Sequence, residues 1–223
     1  MNNSIDIFSY KYDVDSSNNY TWINKDEWLN KYLSFELLNI PNKDSLLICD
    51  KLSFGLYSFP LMNKLFCTEL ITILDKYDKW TTGRHNHYAT NDILLKNFNW
   101  NLYKIVNNII RYICVPIVNK LFLSGFNIKD LNIEETFIVR YKHDIQPSLG
   151  IHHDQSTFTI VLNLTDLDQY EGGGTYFIQH DLLVKKEAGM ALIHPGQLTH
   201  KHGVRPIIKG CRYCIVSFVK RKI

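Results

Sequence analysis

Residues 150–158 read GIHHDQSTF, two histidines and an aspartate just ahead of a run with the texture of a β-strand. Side chains two apart on an extended chain share a face. His152 and Asp154 therefore point one way and His153 the other. An imidazole and a carboxylate on one face are two members of a facial triad. In that arrangement two histidines and one carboxylate leave three corners of an octahedron open, which suits non-haem Fe(II) and O2. The third ligand must come from far along the chain. His194, His200 and His202 are the candidates, from a stretch between 152 and 202 that holds six of the nine histidines. Where such chemistry uses 2-oxoglutarate, the far carboxylate of that diacid needs a cation, and the planar fork of arginine binds carboxylate bidentately. Arg212 opens the last strand-like run, CRYCIVSFV, ten residues after His202. An antiparallel return over that distance can bring both into one pocket. A lone His–Asp pair is more often a hydrogen bond than a metal site, so the motif gains weight only from these distant partners.

The elements that must hold these residues change character near residue 130. Before it, NKDEWLNKYLSFELL (24–38) reads as a short helix with acids in its first turn, and SFGLYSFP as a strand stopped by proline. Phe66, Leu70, Ile73, Leu74 and Tyr77 recur at helical spacing. Residues 101–122 repeat the pattern with Leu102, Ile105, Val106, Ile109, Ile110 and Ile113, and Pro116 is expected to kink or divide that helix. Both stripes read as core. After residue 130, ETFIVRYKH, STFTIVLNL, GTYFIQH, GMALIHP and CRYCIVSFV are short and rich in β-branched and aromatic residues. The turn signals QPSLG, EGGG, HPGQ and IIKG separate them, which predicts an antiparallel sandwich or barrel. The expected class is α+β. A polar, Asn-rich segment over 1–23 is expected to be poorly ordered. A single domain follows over 24–223, with a helical part at 24–130 and the β-core at 131–223.

Composition narrows the function classes. Of the 223 residues 45% are hydrophobic and 21% charged, as in ordinary globular domains, and the net charge of +3 is too small to argue for nucleic acid or a membrane surface. No uninterrupted apolar run approaches the ~20 residues of a membrane span. The N-terminal stretch lacks a cationic region followed by an apolar core, so a secretory leader is not expected and localisation is read as cytoplasmic or undetermined. The five cysteines have no paired CxxC spacing and read as free thiols.

Longer strings around the candidate ligands carry a resemblance. VRYKHDIQPSLGIHHDQSTFTI, YEGGGTYF, ALIHPGQLTHKHG and GCRYCIVSFV are similar to the catalytic domain of procollagen lysyl hydroxylases, within the Fe(II)/2-oxoglutarate dioxygenase superfamily. DEWLNKYL, LYSFPLMNKLFCTELI and DKWTTG extend the likeness, so that it covers roughly residues 24–220. The resemblance implies a double-stranded β-helix (jelly roll) flanked by the N-terminal helices. It implies His152, Asp154 and His202 as iron ligands, Arg212 as the 2-oxoglutarate anchor and Tyr141 as a hydrogen-bond partner of the same carboxylate. The spacing of ten to Arg212 favours His202 over His200, which then lies near the iron without binding it. His194, in HPG, reads as closing a turn and EGGG as a tight strand connection. The implied cofactors are Fe(II), 2-oxoglutarate, O2 and ascorbate. The implied reaction is hydroxylation of peptidyl lysine at C5 in a collagen-like substrate. Another protein side chain, a free amino acid or a nucleobase is the alternative substrate, and a non-catalytic binding module that kept the fold is the alternative of another class. Family members often dimerise through this domain, so a homodimer is also expected.

Departures from the family pattern bear on substrate more than on chemistry. EGGGC of the family is EGGGT here, so Thr175 replaces a cysteine; if that cysteine pairs with the one in FC.EL, Cys67 has lost its partner. VDIHM of the family is NDILL, which keeps Asp92 and loses the histidine. Asp92 is read as a solvated acid or as a holder of a lysine ammonium near the pocket mouth. Thr157 and Thr159 are read as sheet-packing hydroxyls, with contact to the cosubstrate the less expected role.

Overall fold

A computed structural model describes residues 5–14, 20–41, 44–84, 88–122 and 124–222. The strands are β1 (Tyr12–Val14), β2 (Tyr20–Trp22), β3 (Asp50–Ser53), β4 (Leu56–Pro60), β5 (Asp92–Leu94), β6 (Leu131–Lys142) and β7 (Leu149–His152). They continue as β8 (Phe158–Asn163), β9 (Tyr170–Gly172), β10 (Thr175–Phe177), β11 (Leu182–Val184), β12 (Met190–Pro195), β13 (His202–Val204) and β14 (Ile207–Arg221). The helices are α1 (Lys25–Tyr32), α2 (Phe35–Leu38), α3 (Lys64–Leu74), α4 (Leu95–Phe98), α5 (Trp100–Ile109) and α6 (Val115–Phe122).

Alternation along the long strands separates two apolar environments. In β6, Phe137, Val139 and Tyr141 join one buried cluster and Ile138 the other; in β8, Val161 parts in the same way from Ile160 and Leu162. All six residues of β8 are buried, because both faces of its sheet are covered. That sheet runs β3-β4-β12-β8-β14-β6-β5, with β9 also paired to β14, and a smaller sheet runs β11-β10-β13-β7. The pairings are antiparallel throughout. The helices cover the outer face of the large sheet, where Trp28, Tyr32, Phe66, Leu70, Leu102 and Ile105 are fully buried. This is the expected jelly roll with flanking helices. Gly172, Gly173 and Gly174 make the connection from β9 to β10, all with positive φ (79°, 62° and 99°). A Cβ on Gly172 would stand 2.3 Å from the Pro206 carbonyl oxygen, so only glycine fits.

Two expectations need amending. The helical part at 24–130 holds the expected strand at SFGLYSFP (β4) and also contributes β3 and β5 to the large sheet. Residues 5–14 do not fit a poorly ordered segment: Ile7 is 1% exposed in the main core, and β1 pairs with β2. Residues 20–23 belong to the same folded part, and residues 1–4 and 15–19 lie outside the described residues. The long helix is interrupted just ahead of Pro116, in line with the expected division. Between α5 and α6 lies a π-type turn, Ile110–Cys114, in which the Val115 amide bonds Ile110 O five residues back. That wider turn absorbs the amide hydrogen bond that proline cannot make. The whole helical stretch, Trp100–Phe122, is long and apolar enough by composition to cross a bilayer, although polar and charged residues interrupt every apolar run within it. One face of it, from Leu102 through Ile109 to Val118, is buried in the core.

Candidate active site

Between the two sheets lies a cavity of about 1000 Å³. One wall is built by strand alternation: β14 presents Arg212, Cys214, Val216, Phe218 and Lys220, and β6 presents Phe137, Val139 and Tyr141. The opposite wall comes from the small sheet, where β7 and β13 put His152 and His202 in direct register.

His152, Asp154 and His202 each offer one ligand atom, and these atoms lie within 4.8 Å of one another. β7 stops at His152, so Asp154 reaches the shared face from the turn beyond the strand. Each imidazole is held through Nδ1 by a backbone carbonyl two residues earlier, His152 by Gly150 O at 2.8 Å and His202 by His200 O at 2.9 Å. That bond directs Nε2 at the carboxylate, 3.5 Å from Asp154 Oδ1 for His152 and 3.8 Å from Oδ2 for His202. Burial pushes His202 down to about 3, so its ring is neutral and its Nε2 lone pair is available. Burial works against the charge of Asp154, but the His152 hydrogen bond and the neighbouring His202 and His194 hold it below the usual carboxylate range. His152 goes the other way: burial pulls it down, but the Asp154 and Gly150 bonds outweigh that and raise it. Two imidazoles and an ionised acid that converge in a buried pocket fit a divalent transition metal, whose binding would displace any proton from the ligand nitrogen of His152.

The carboxylate is itself held. Thr159, fully buried on β8, donates from Oγ1 to Asp154 Oδ2 at 2.6 Å, and Ser156 Oγ lies 2.8 Å from the same threonine oxygen. Thr157 instead accepts the Arg221 amide at the sheet end. His194 does not merely close a turn. It is fully buried on β12, with Nε2 3.9 Å from Asp154 Oδ2 and its ring 4.7 Å from that of His202. His200 stands behind the triad, with its ring bonded to Phe54 O and the Thr199 hydroxyl. His153 is exposed at the cavity rim.

At the other end of the cavity Arg212 is 4% exposed. One nitrogen donates to Asn163 Oδ1 at 2.9 Å and reaches Thr175 Oγ1 at 3.5 Å, while Nε has no partner. Tyr141, its cross-strand partner, lies with its ring 5.8 Å from the guanidinium. Among the described residues no carboxylate pairs with this arginine. A buried cation without an acid is costly, so the pocket is poised for an anion brought from outside. Thr175 thus faces the arginine instead of supplying a thiol, and the five cysteines are free, Cys67 among them. Asn163 was not anticipated. Its place in STFTIVLN, on the same strand face as Thr159 and Val161, was the available signal. Asp92 is neither solvated nor open to a ligand: it is fully buried and bonded by Arg84 Nε at 2.8 Å and by Thr81 and Thr90.

No family model matches the chain. It is 38% identical over 175 residues to the human multifunctional procollagen lysine hydroxylase and glycosyltransferase LH3, covering 73% of this chain and 23% of that one. It is 34% identical over 211 residues to the procollagen lysyl hydroxylase and glycosyltransferase of Acanthamoeba polyphaga mimivirus, covering 87% and 23%. The chain therefore spans about a quarter of the length of these curated relatives. Among solved structures, the viral collagen prolyl hydroxylase of Paramecium bursaria Chlorella virus-1 superposes with a TM-score of 0.56 at 14% identity, covering 76% of this chain and 97% of that one, a likeness of fold.

Proposed function

Because this chain is a homologue of the procollagen lysyl hydroxylases and has the jelly-roll fold of the Fe(II)/2-oxoglutarate oxygenases, we propose that it is an Fe(II)- and 2-oxoglutarate-dependent hydroxylase of peptidyl lysine, forming 5-hydroxylysine in collagen-like sequences. The observation that carries this reading is one cavity with a His-Asp-His group and, further in, a buried arginine with no acid partner among the described residues. His152, Asp154 and His202 would hold the iron. Bound there, iron with O2 and 2-oxoglutarate supplies the oxidising power that replaces a substrate C–H by C–OH while the cosubstrate leaves as succinate and CO2.

The chain's own residues do the positioning. The free donors of Arg212 take the far carboxylate of 2-oxoglutarate, joined by the Tyr141 hydroxyl, while Asn163 and Thr175 keep the guanidinium in place. The Nδ1 bonds aim both imidazoles, and Thr159 fixes the rotation of the Asp154 carboxylate. Val139, Val161 and Val216 line the cavity with apolar surface and keep water from the reacting carbon. Ascorbate, as external reductant, and a homodimer belong to the same proposal. The test is a panel of lysine peptides incubated with the purified chain, Fe(II), 2-oxoglutarate and ascorbate, with product mass as the readout. One oxygen added at lysine, with stoichiometric succinate, supports the reading. Succinate with oxygen added elsewhere moves the substrate to another class. Absence of succinate under all conditions refutes the oxygenase reading.

A further inference from the structure

The mouth of the cavity carries charges that this chemistry leaves unused. β6 and β14 pair from Lys142–Cys211 to Glu135–Phe218 and then shift, so that the next pair is Ile133–Val219. Glu134 is the extra residue of a bulge. Two consecutive acids, which a regular strand would send to opposite faces, consequently both line the cavity. Glu134 holds Lys220 at 2.6 Å. Glu135 holds Nη1 of Arg84, whose guanidinium lies 4.7 Å from the ring centre of Phe137 and whose Nε stays on Asp92. The protein thus keeps one of its own cations between a carboxylate and an aromatic face, at the lining of this cavity.

The register also fixes where this happens. Phe218 pairs with Glu135 on one side and with Thr159 on the other, and Thr159 is the residue bonded to Asp154. Glu135 therefore shares a cross-strand row with the metal-binding end, about 10 Å away across two strand spacings. Arg212 lies six residues further along β14. The two ends of the cavity have opposite chemistry: Arg212 is a cation with no acid beside it among the described residues, whereas the mouth holds Glu134 and Glu135, with Asp92 behind them, against Arg84 and Lys220.

We propose that Glu135 and the ring of Phe137 form the binding subsite for the substrate's side-chain ammonium, and that Arg84 is an internal cation that occupies it until a substrate lysine takes its place. The proposal rests on reading the cavity as the substrate channel of a hydroxylase. A carboxylate beside an aromatic face is the pair that recognises an ammonium. Arg84 can leave Glu135 without abandoning Asp92, because Nε and Nη1 serve different acids, so exchange leaves no buried carboxylate bare. A grip on the ammonium also fixes the carbon two bonds back, which is where the proposed reaction adds oxygen.

The test uses two fluorescent peptides that differ only in lysine or norleucine, titrated by anisotropy into the chain with Fe(II) and 2-oxoglutarate under nitrogen. The wild type should bind the lysine peptide roughly 10-fold or more tightly than the norleucine peptide, the size expected of one charge-assisted hydrogen bond. Glu135→Gln, with its fold checked by thermal melting, should bind the two alike. Arg84→Gln, whose amide can still donate to Asp92, should bind the lysine peptide more tightly than wild type. Equal affinities in the wild type, or a preference that survives Glu135→Gln, would overturn the subsite; weaker or unchanged binding by folded Arg84→Gln would overturn the role of Arg84. A lysine preference without oxygen added to lysine leaves the subsite standing and removes the hydroxylation reading. Oxygen added to lysine without the preference does the reverse.

Discussion

Replacing Arg212 by methionine separates a residue kept for an outside anion from one kept for stability. The guanidinium is 4% exposed, bonded to Asn163 Oδ1 at 2.9 Å, and pairs with no described acid. Its removal deprives Asn163 of a donor, a cost of about 1 kcal/mol, and relieves an unpaired buried cation, which works in the opposite direction. The net change without cosubstrate should lie within ~1 kcal/mol, or about 2–4 °C in Tm for a chain of this size. Cosubstrate binding should behave otherwise. A bidentate arginine–carboxylate contact has two charge-assisted bonds of about 1.5–3 kcal/mol each, so 2-oxoglutarate affinity should fall by about 100-fold or more. Differential scanning fluorimetry under nitrogen reads both quantities. At 2-oxoglutarate near 100 Kd, the wild type should gain about 2.7 kcal/mol and the variant almost nothing. An Arg212→Met protein that melts more than about 10 °C below wild type without ligand, or that 2-oxoglutarate stabilises as much as wild type, would show that the arginine is a structural strut.

Other outcomes follow from the same geometry. Thr159→Val keeps the shape of the side chain and loses the donor to Asp154, so metal affinity measured by competition with a chelating dye should fall roughly 10- to 100-fold, and Thr159→Ser should restore most of it. His152→Ala and Asp154→Ala should each abolish succinate production, and full turnover in either would unseat the triad. Gly172→Ala, at φ 79° with Pro206 O in the path of the new Cβ, should cost about 1–3 kcal/mol in chemical denaturation. Burial pushes the thiols of Cys67 and Cys114 up to about 12, so native protein at pH 8 should hold both as neutral thiols. Alkylation there should be slow, and it should quicken as pH rises toward 12 or on unfolding; rapid labelling of either in folded protein at pH 8 would contradict their burial.

How far the chain could be read without coordinates depended on the range of each interaction. The helical stripes, the alternation of β6 and β14 and the glycine turn are local patterns, so Phe66, Val139 and Gly172 announced their surroundings. The His152–Asp154 spacing and the interval from His202 to Arg212 were legible because an antiparallel pair turns sequence offsets into neighbours. Other features were not legible. His194, at the end of the strand-like run GMALIHP, looked like a turn residue because nothing local reveals that the fold buries it behind Asp154. Asp92 looked solvated because its partner Arg84 comes from a loop, and the shared face of Glu134 and Glu135 depends on a bulge that only the pairing with β14 defines. Sequence alone supplied the candidate ligand types, the strand periods and the proposed class of chemistry, since those reside in side-chain identity and short-range geometry. Tertiary structure alone decided which carboxylates are free for a ligand and which are held by the protein's own cations, because ionic pairing is settled between segments far apart in the chain.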